Sequence, residues 1–265
     1  MSVAGGELAY QHGTSPCSGT GVVWSSGELD AAITDRVSAL VLDDDGKADI
    51  DGILNSLAET EFAQDGLRAI LADPNHLDDW RVGEAIAEAY LSDHCACEFP
   101  WPDGRDERKS GSSLPGADLV GFRTDDDGDA LAFGEVKTST EQQYPPGAVY
   151  GRTGLKQQLE DLRDREHIRD DLLKYLCHRA KNANWKARFI EASRRYLQDK
   201  SDVHLFGFLV RDVQPNEDDL RVRVTKLAEN KPVSTNVELY ALYLPNGRID
   251  GIGASILAQR TEATE

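Results

Sequence analysis

The segment Leu131–Thr140, which reads LAFGEVKTST, constrains the fold of this chain more than any other. Its run of apolar and small residues is typical of a buried β-strand, yet an acid and a base, Glu135 and Lys137, lie two positions apart within it. Side chains alternate across a strand, so both charges project from the face that carries Leu131 and Phe133. Burying charges there costs several kcal/mol unless each has a partner. The segment therefore predicts a central strand with a charged site at its end.

A second acid precedes this strand in another short apolar run, Asp118–Phe122. Residues 123–129, RTDDDGD, separate the two runs and are rich in turn formers, so the pair predicts a β-hairpin. The hairpin would bring Asp118 close to Glu135, which places two carboxylates and one lysine together on a sheet. Carboxylate and backbone carbonyl oxygens suit Mg²⁺ or Mn²⁺. The pattern therefore favours a metal site with the lysine beside it.

Helices are predicted on both sides of this hairpin. Residues 80–91, WRVGEAIAEAYL, have an apolar stripe at helical spacing, and Glu84 lies in the first turns with Glu88 one turn later. Residues 154–162, GLKQQLEDL, predict the start of a long polar helix. The candidates on that helix for contacting a phosphate are Lys156, Gln157 and Gln158.

Asp118 followed by Glu135-x-Lys137 at the end of an apolar strand resembles the PD-(D/E)xK nuclease superfamily. The resemblance implies an α/β fold of the restriction-endonuclease type, with a mixed central sheet flanked by helices. It also implies metal-dependent hydrolysis of DNA phosphodiester bonds. The sequence departs from the family motif because no proline directly precedes Asp118; Pro115 lies three residues before it.

The resemblance assigns a role to each candidate residue. Asp118 and Glu135 would bind Mg²⁺, or alternatively Mn²⁺, with the carbonyl of Val136 as a further ligand. Lys137 would position the attacking water. Glu84, or alternatively Glu88, would orient a metal-bound water. Gln158, or alternatively Gln157, would contact the scissile phosphate.

Size and layout over about residues 80–260 resemble the HamA family, the nuclease subunit of Hachiman-type anti-phage defence systems. This implies two partners, DNA and a superfamily-2 helicase subunit of the HamB type. The chain has no Gly-x-x-x-x-Gly-Lys-Ser/Thr motif, so the helicase motor would be the partner. Two other functions stay open: a stand-alone restriction or repair nuclease, and a non-catalytic acidic interaction module in which Glu135 and Lys137 form a solvated ion pair.

The net charge of −18, from 47 acids against 29 bases, is unusual for a nucleic-acid enzyme because it repels phosphate. Many of the bases lie within residues 160–200, interleaved with aromatic residues. That segment fits either a phosphate-facing surface or an amphipathic helix pair with its polar face in water. The bases are Arg163, Arg165, Arg169, Lys174, His178, Arg179, Lys181, Lys186, Arg188, Arg194 and Arg195.

We expect residues 1–75 to form an N-terminal extension packed on a nuclease domain of residues 76–265, with the basic helical insert at about 160–200. Late strands are predicted at residues 203–210, 220–224 and 237–244. The chain has no run of 18 apolar residues and no features of a signal peptide, which predicts a cytoplasmic protein. His94-Cys95-Ala-Cys97 offers too few ligands for a zinc site, so buried thiols are expected there.

Overall fold

The computed structural model describes residues 1–101 and 116–264. Within them the chain forms an α/β structure, a seven-stranded mixed sheet flanked by helices, as the sequence predicts. The strands are β1 (Glu7–Thr14), β2 (Cys17–Val23), β3 (Cys97–Trp101), β4 (Leu119–Asp125), β5 (Gly128–Ser139), β6 (Val203–Arg211) and β7 (Asn236–Tyr243). The helices are α1 (Ser26–Thr34), α2 (Arg36–Val41), α3 (Asp44–Leu54), α4 (Glu61–Leu71), α5 (Asp79–His94), α6 (Leu155–Asp164), α7 (Glu166–Arg179), α8 (Lys186–Gln198), α9 (Arg221–Ala228) and α10 (Ile252–Thr264).

The strand order across the sheet is β1-β2-β7-β6-β5-β4-β3. The four strands β2, β7, β6 and β5 are parallel to one another, and β1 on one side and β4 and β3 on the other add antiparallel pairs. Every residue of β6 is buried, as expected for a strand covered on both faces. The predicted strands at 203–210 and 237–244 are thereby confirmed.

The N-terminal segment contributes two strands to this sheet. β2 pairs in parallel with β7, from Cys17 opposite Val237 to Val23 opposite Tyr243, and β1 forms the outer edge. The sheet is therefore continuous across the expected boundary near residue 75. The division into an extension and a nuclease domain stays a prediction.

The strand predicted at residues 220–224 is wrong, because this segment begins helix α9. The alternation of Leu220, Val222 and Val224 suggested a strand, but Val222 is 40% exposed. The buried residues are instead Leu220, Val224 and Leu227, at the spacing of one helix face. The apolar residues of this short segment fit the spacing of a strand and also that of a helix, and packing against the sheet selects the helix.

Helices cover the two faces of the sheet and form two apolar cores. One core contains residues of α1, α2, α5 and α10, such as Ile33 and Ile86, against Ala132 and Val136 of β5. The other contains residues of α6, α7, α8 and α9, such as Leu159, against Leu131 and Phe133. Successive side chains of β5 therefore point into the two cores in turn. Glu135 and Lys137 are an even number of residues from Leu131 and Phe133, so they point to the α6 side of the sheet.

No helix among the described residues is long and apolar enough to cross a lipid bilayer.

Candidate active site

The predicted hairpin is present as strands β4 and β5, and it brings Asp118 beside Glu135. The antiparallel register pairs Leu119 with Gly134. One residue earlier, the Asp118 amide donates a hydrogen bond to the Gly134 carbonyl at 3.0 Å. Asp118 is therefore fixed at the start of β4, next to the point where the charged end of β5 begins. Pro115 lies outside the described residues.

The side chains of Asp118, Glu135 and Lys137 form one cluster. Lys137 Nζ lies 3.5 Å from Asp118 Oδ2 and 3.5 Å from Glu135 Oε2. The Val136 amide donates to the same Asp118 Oδ2 at 2.8 Å. The exposed fractions of the side chains are 19% for Lys137, 11% for Asp118 and 0% for Glu135. The three residues that the motif singled out are thus close together and nearly withdrawn from solvent.

Glu135 is the least satisfied charge in this cluster. Burial and the neighbouring Asp118 raise its pKa well above the usual value, and Lys137 opposes the shift. Its second oxygen, Oε1, is buried and has no hydrogen-bond partner among the described residues. A buried polar atom left without a partner costs about 1–3 kcal/mol. The protein therefore holds this carboxylate oxygen ready for a ligand at a cost to its own stability.

Glu84 reaches the cluster from helix α5. Its pKa is raised to about 8: burial is the largest cause, the charge of Asp118 adds to it, and Arg81 and Lys137 oppose it. Glu84 and Asp118 line the same cavity, so helix α5 places this acid near the cluster. The alternative, Glu88, also influences the pKa of Glu84, so the two acids lie along the same side of α5.

The three candidates on α6 have different surroundings. Gln157 donates to Asp161 at 2.8 Å, and Lys156 pairs with Glu160 at 3.7 Å. Gln158 differs because its Oε1 atom is buried and has no hydrogen-bond partner within the described part of the chain. This unpartnered atom is an acceptor, so a contact with a phosphate oxygen would have to come from the Nε2 group of the same amide.

A glycine that the sequence analysis does not single out pairs with the central acid. Gly207 of β6 lies opposite Glu135 in the parallel register. A Cβ atom at this position would lie 2.6 Å from Leu239 and 2.7 Å from Leu159, so a side chain here would require these leucines to shift. The sequence signal for this position is an isolated glycine inside an apolar strand, because such a glycine often marks a site where another part of the protein approaches the strand closely.

A cavity of about 750 Å³ adjoins the cluster. Asp118, Glu84 and Glu88 contribute to its wall, and the aromatic side chains of Trp80 and Trp185 lie along it. Asp118, Glu84 and Glu88 are therefore reached from a recess, whereas Glu135 is not among the residues that line it.

The oxygen donors of the cluster fit a hard divalent cation. Two carboxylates and the neighbouring Val136 carbonyl are the donor types that Mg²⁺ and Mn²⁺ prefer, and Glu135 Oε1 has no hydrogen-bond partner within residues 1–101 and 116–264. Among the described residues, no three His, Cys, Asp or Glu side chains are grouped closely enough to hold a metal by themselves. A cation here would therefore rely on two carboxylates, the main-chain carbonyl and water.

The cysteine-rich segment has structural contacts. His94 Nε2 lies 3.0 Å from the Val3 carbonyl, and Cys95 Sγ lies 3.3 Å from the Tyr240 hydroxyl. Cys95 and Cys97 are buried, and burial raises the pKa of both thiols. This agrees with the expectation of buried thiols.

Several bases of the 160–200 segment are used inside the protein. Arg169 is 2% exposed and donates to main-chain carbonyls, including that of Lys200. Arg188 pairs with Asp129, and Arg195 pairs with Asp125. At these positions the helices behave as an amphipathic pair whose bases form internal contacts. The bases Lys181, Lys186 and Arg194 are exposed and could still face a phosphate.

Comparison of the sequence with models of known protein families gives no match, and comparison with curated proteins gives none either.

Proposed function

We propose that this chain is a metal-dependent deoxyribonuclease of the PD-(D/E)xK type that hydrolyses phosphodiester bonds. The observation that carries the proposal is the cluster of Asp118, Glu135 and Lys137, in which one ammonium group lies 3.5 Å from both carboxylates. Glu135 is buried with an oxygen that lacks a partner in the described structure. A structural ion pair on a surface would be solvated, so the burial argues against the non-catalytic reading.

The order of elements around the cluster supports a restriction-endonuclease-like core. Helix α5, strands β3, β4 and β5, helix α6 and strand β6 follow one another along the chain. The acids lie at the start of β4 and within β5, with Glu84 on the preceding helix and Gln158 on the following one. This is the arrangement that the resemblance to the superfamily implies.

The side chains divide the chemical work. Asp118 and Glu135 hold the cation, together with the Val136 carbonyl. Lys137 orients the attacking water or neutralises a phosphate oxygen through its ammonium group. Glu84 orients a water within the site, and Gln158 donates its amide to the scissile phosphate. Water attacks phosphorus, and the bond to the departing sugar oxygen breaks.

A bound Mg²⁺ or Mn²⁺ supplies two effects there, a lowered pKa of its water and stabilisation of the charge on the phosphate.

The acidic surface supports a role as one subunit of a complex. A chain with a net charge of −18 gains little from long-range attraction to DNA, so a partner that grips DNA would complement it. We propose that this partner is a superfamily-2 helicase subunit of the HamB type, and that the pair acts in anti-phage defence. The protein would work in the cytoplasm, where such DNA is met.

The test is degradation of plasmid and linear DNA with Mg²⁺ or Mn²⁺ by the wild type, Glu135→Gln and Lys137→Ala. Asp126→Asn is the matched control, because Asp126 is an exposed acid on the turn of the same hairpin. We expect cleavage by the wild type and the control, and none by the two site variants. Cleavage that persists in both site variants would refute the proposed site.

Mn²⁺ binding measured by calorimetry gives a second readout that does not depend on cleavage. Glu135→Gln should weaken binding, whereas Asp126→Asn should leave it unchanged. Repeating the cleavage assay with a co-encoded helicase and ATP separates the remaining functions. Activity without the helicase favours a stand-alone restriction or repair nuclease. A folded wild type that neither binds Mn²⁺ nor cleaves DNA in any mixture favours an acidic interaction module.

A further inference from the structure

A close approach between helix α5 and strand β5 joins two residues that neighbour the proposed catalytic groups. Gly83 precedes Glu84 in the chain, and Thr138 follows Lys137. A Cβ atom at Gly83 would lie 1.9 Å from Thr138 Oγ1 and 3.2 Å from Thr138 Cβ. The hydrogen atom of the glycine is therefore all that fits between the helix and the strand.

Thr138 is poorly able to yield at this contact. Its Oγ1 atom is buried and has no hydrogen-bond partner in the described part of the molecule, so no polar interaction explains why a threonine stands there. A β-branched side chain is also restricted at χ1. The backbone of α5 lies directly against this side chain, so a larger residue at position 83 would meet it.

We infer that Gly83 is a positioning residue: because it has no side chain, helix α5 can lie against Thr138 at the distance that places Glu84 relative to Lys137. The inference rests on the proposed function of this site. Each contact residue is one peptide unit from a functional side chain, so a displacement at the contact passes to the site almost undiminished. The groups on the two elements must be held closely, because a misplacement of about 1 Å lowers a rate by about 100-fold.

The geometry gives the size of the displacement that a methyl group would cause. Ordinary contacts begin at 3.4 Å, so Gly83→Ala requires the helix to retreat by about 1.5 Å, the difference between 3.4 and 1.9 Å. Alanine is otherwise a better helix residue than glycine. Any loss of activity in a folded Gly83→Ala protein therefore comes from the displacement and not from weaker helix formation.

The experiment uses a size exchange across the contact. Thr138→Ala removes Oγ1 and leaves Cβ at 3.2 Å, which the Gly83→Ala methyl group can meet with a small adjustment. We expect Gly83→Ala to lower kcat for DNA cleavage about 100-fold with little change in KM. Gly83→Ala/Thr138→Ala should recover most of that loss, and Thr138→Ala alone should retain activity within a few-fold.

Thr138→Val is the matched control, since valine fills both γ positions as threonine does. Gly83→Ala/Thr138→Val should therefore stay as slow as Gly83→Ala, while Thr138→Val alone stays active. Rescue by valine as well as by alanine would overturn the steric explanation. Full activity of a folded Gly83→Ala protein would overturn the positioning role.

Crystal structures of the wild type, Gly83→Ala and the alanine double variant test the same inference without an activity assay. The separation of the Glu84 and Lys137 Cα atoms should increase by about 1 Å or more in Gly83→Ala, on the scale that matters for catalysis. It should return in the double variant. An inactive wild type whose variants nevertheless show this shift would refute the proposed function and leave the positioning intact. An unchanged separation in Gly83→Ala would refute the positioning itself.

Discussion

The hairpin of β4 and β5 carries a charged cluster at each of its ends, and the two are built in opposite ways. At the turn end, Asp125 receives two hydrogen bonds from Arg195, at 2.7 and 3.1 Å, and pairs with His204 at 2.9 Å. At the other end, Glu135 meets Lys137 at 3.5 Å and leaves Oε1 without a partner among the described residues. One cluster is saturated with internal partners and the other is not.

The pKa shifts have opposite directions for the same reason. Burial alone would raise the pKa of Asp125, but the hydrogen bonds from Arg195 and His204 outweigh it and lower the value to about 2. Burial dominates at Glu135, and the adjacent Asp118 adds to it, so its pKa rises. The difference teaches that the turn cluster stabilises the fold, whereas the Glu135 cluster is held in place at the expense of stability. Three experiments test this contrast, and a fourth tests the glutamine assigned to the site.

The largest expected effect is on catalysis. Glu135→Gln keeps the shape of the side chain and removes its charge, so we expect the DNA cleavage rate to fall about 1,000-fold. The free energy of unfolding should change by about 1 kcal/mol or less, because the buried charge has no full set of partners to lose. Cleavage kinetics and urea unfolding measure the two quantities. A large loss of stability would show that Glu135 is a structural residue.

The turn cluster should show the reverse. Arg195→Ala removes the bonds to Asp125 and Asp202 and leaves two half-buried carboxylates without their guanidinium. We expect the free energy of unfolding to fall by about 2 kcal/mol, the scale of hydrogen bonds to charged groups, with the cleavage rate unchanged below the unfolding temperature. Arg194→Ala, on the adjacent exposed position, is the control and should cost little. Equal stability of the two variants would remove the contrast.

The stability contributed by Asp125 should depend on pH. Its pKa is about 2 in the folded protein against an ordinary 3.8, so the contribution is full above pH 3.8 and is lost as the pH falls towards 2. It should amount to about 2 kcal/mol at pH 6 and about half of that at pH 3. Urea unfolding of the wild type and Asp125→Asn at both pH values measures it. A difference between the two proteins that does not shrink at pH 3 contradicts the assignment.

The smallest expected effect separates two neighbouring glutamines. Gln158→Ala should lower the cleavage rate about tenfold, the effect of one lost hydrogen bond to the phosphate, while stability is preserved. Gln157→Ala removes the bond to Asp161 and should cost about 0.5–1 kcal/mol of stability with no change in rate. Cleavage kinetics and thermal unfolding decide between them. The opposite result would transfer the phosphate contact to Gln157.

The elements that the sequence predicts best are those with a long, single periodicity. The apolar strands within residues 203–210 and 237–244 and the hairpin around the Asp-rich turn are present, because no alternative structure buries those residues as well. Residues 220–224 are too few to distinguish a strand from a helix, and the segment became a helix through burial of Leu220 and Leu227.

The sequence predicts the charged residues of the candidate site, but not the neighbouring residues that position them. Asp118, Glu135 and Lys137 follow from two strands and a turn, which are local features. The roles of Gly83, Gly207 and Thr138 depend on how closely helices approach the sheet, and that distance is a tertiary property. The pairing of Arg195 with Asp125 joins residues 70 positions apart, so charge counts alone gave no sign that this arginine is occupied.

The pairing of β2 with β7 has a consequence for the order in which the chain assembles. Cys17 and Val237 are neighbours in the finished sheet, although they stand at opposite ends of the sequence. The β1–β2 hairpin is synthesised well before β7, so β2 has no parallel partner until β7 has been made. Until then the free edge of β2 is open to pairing with strands of other molecules.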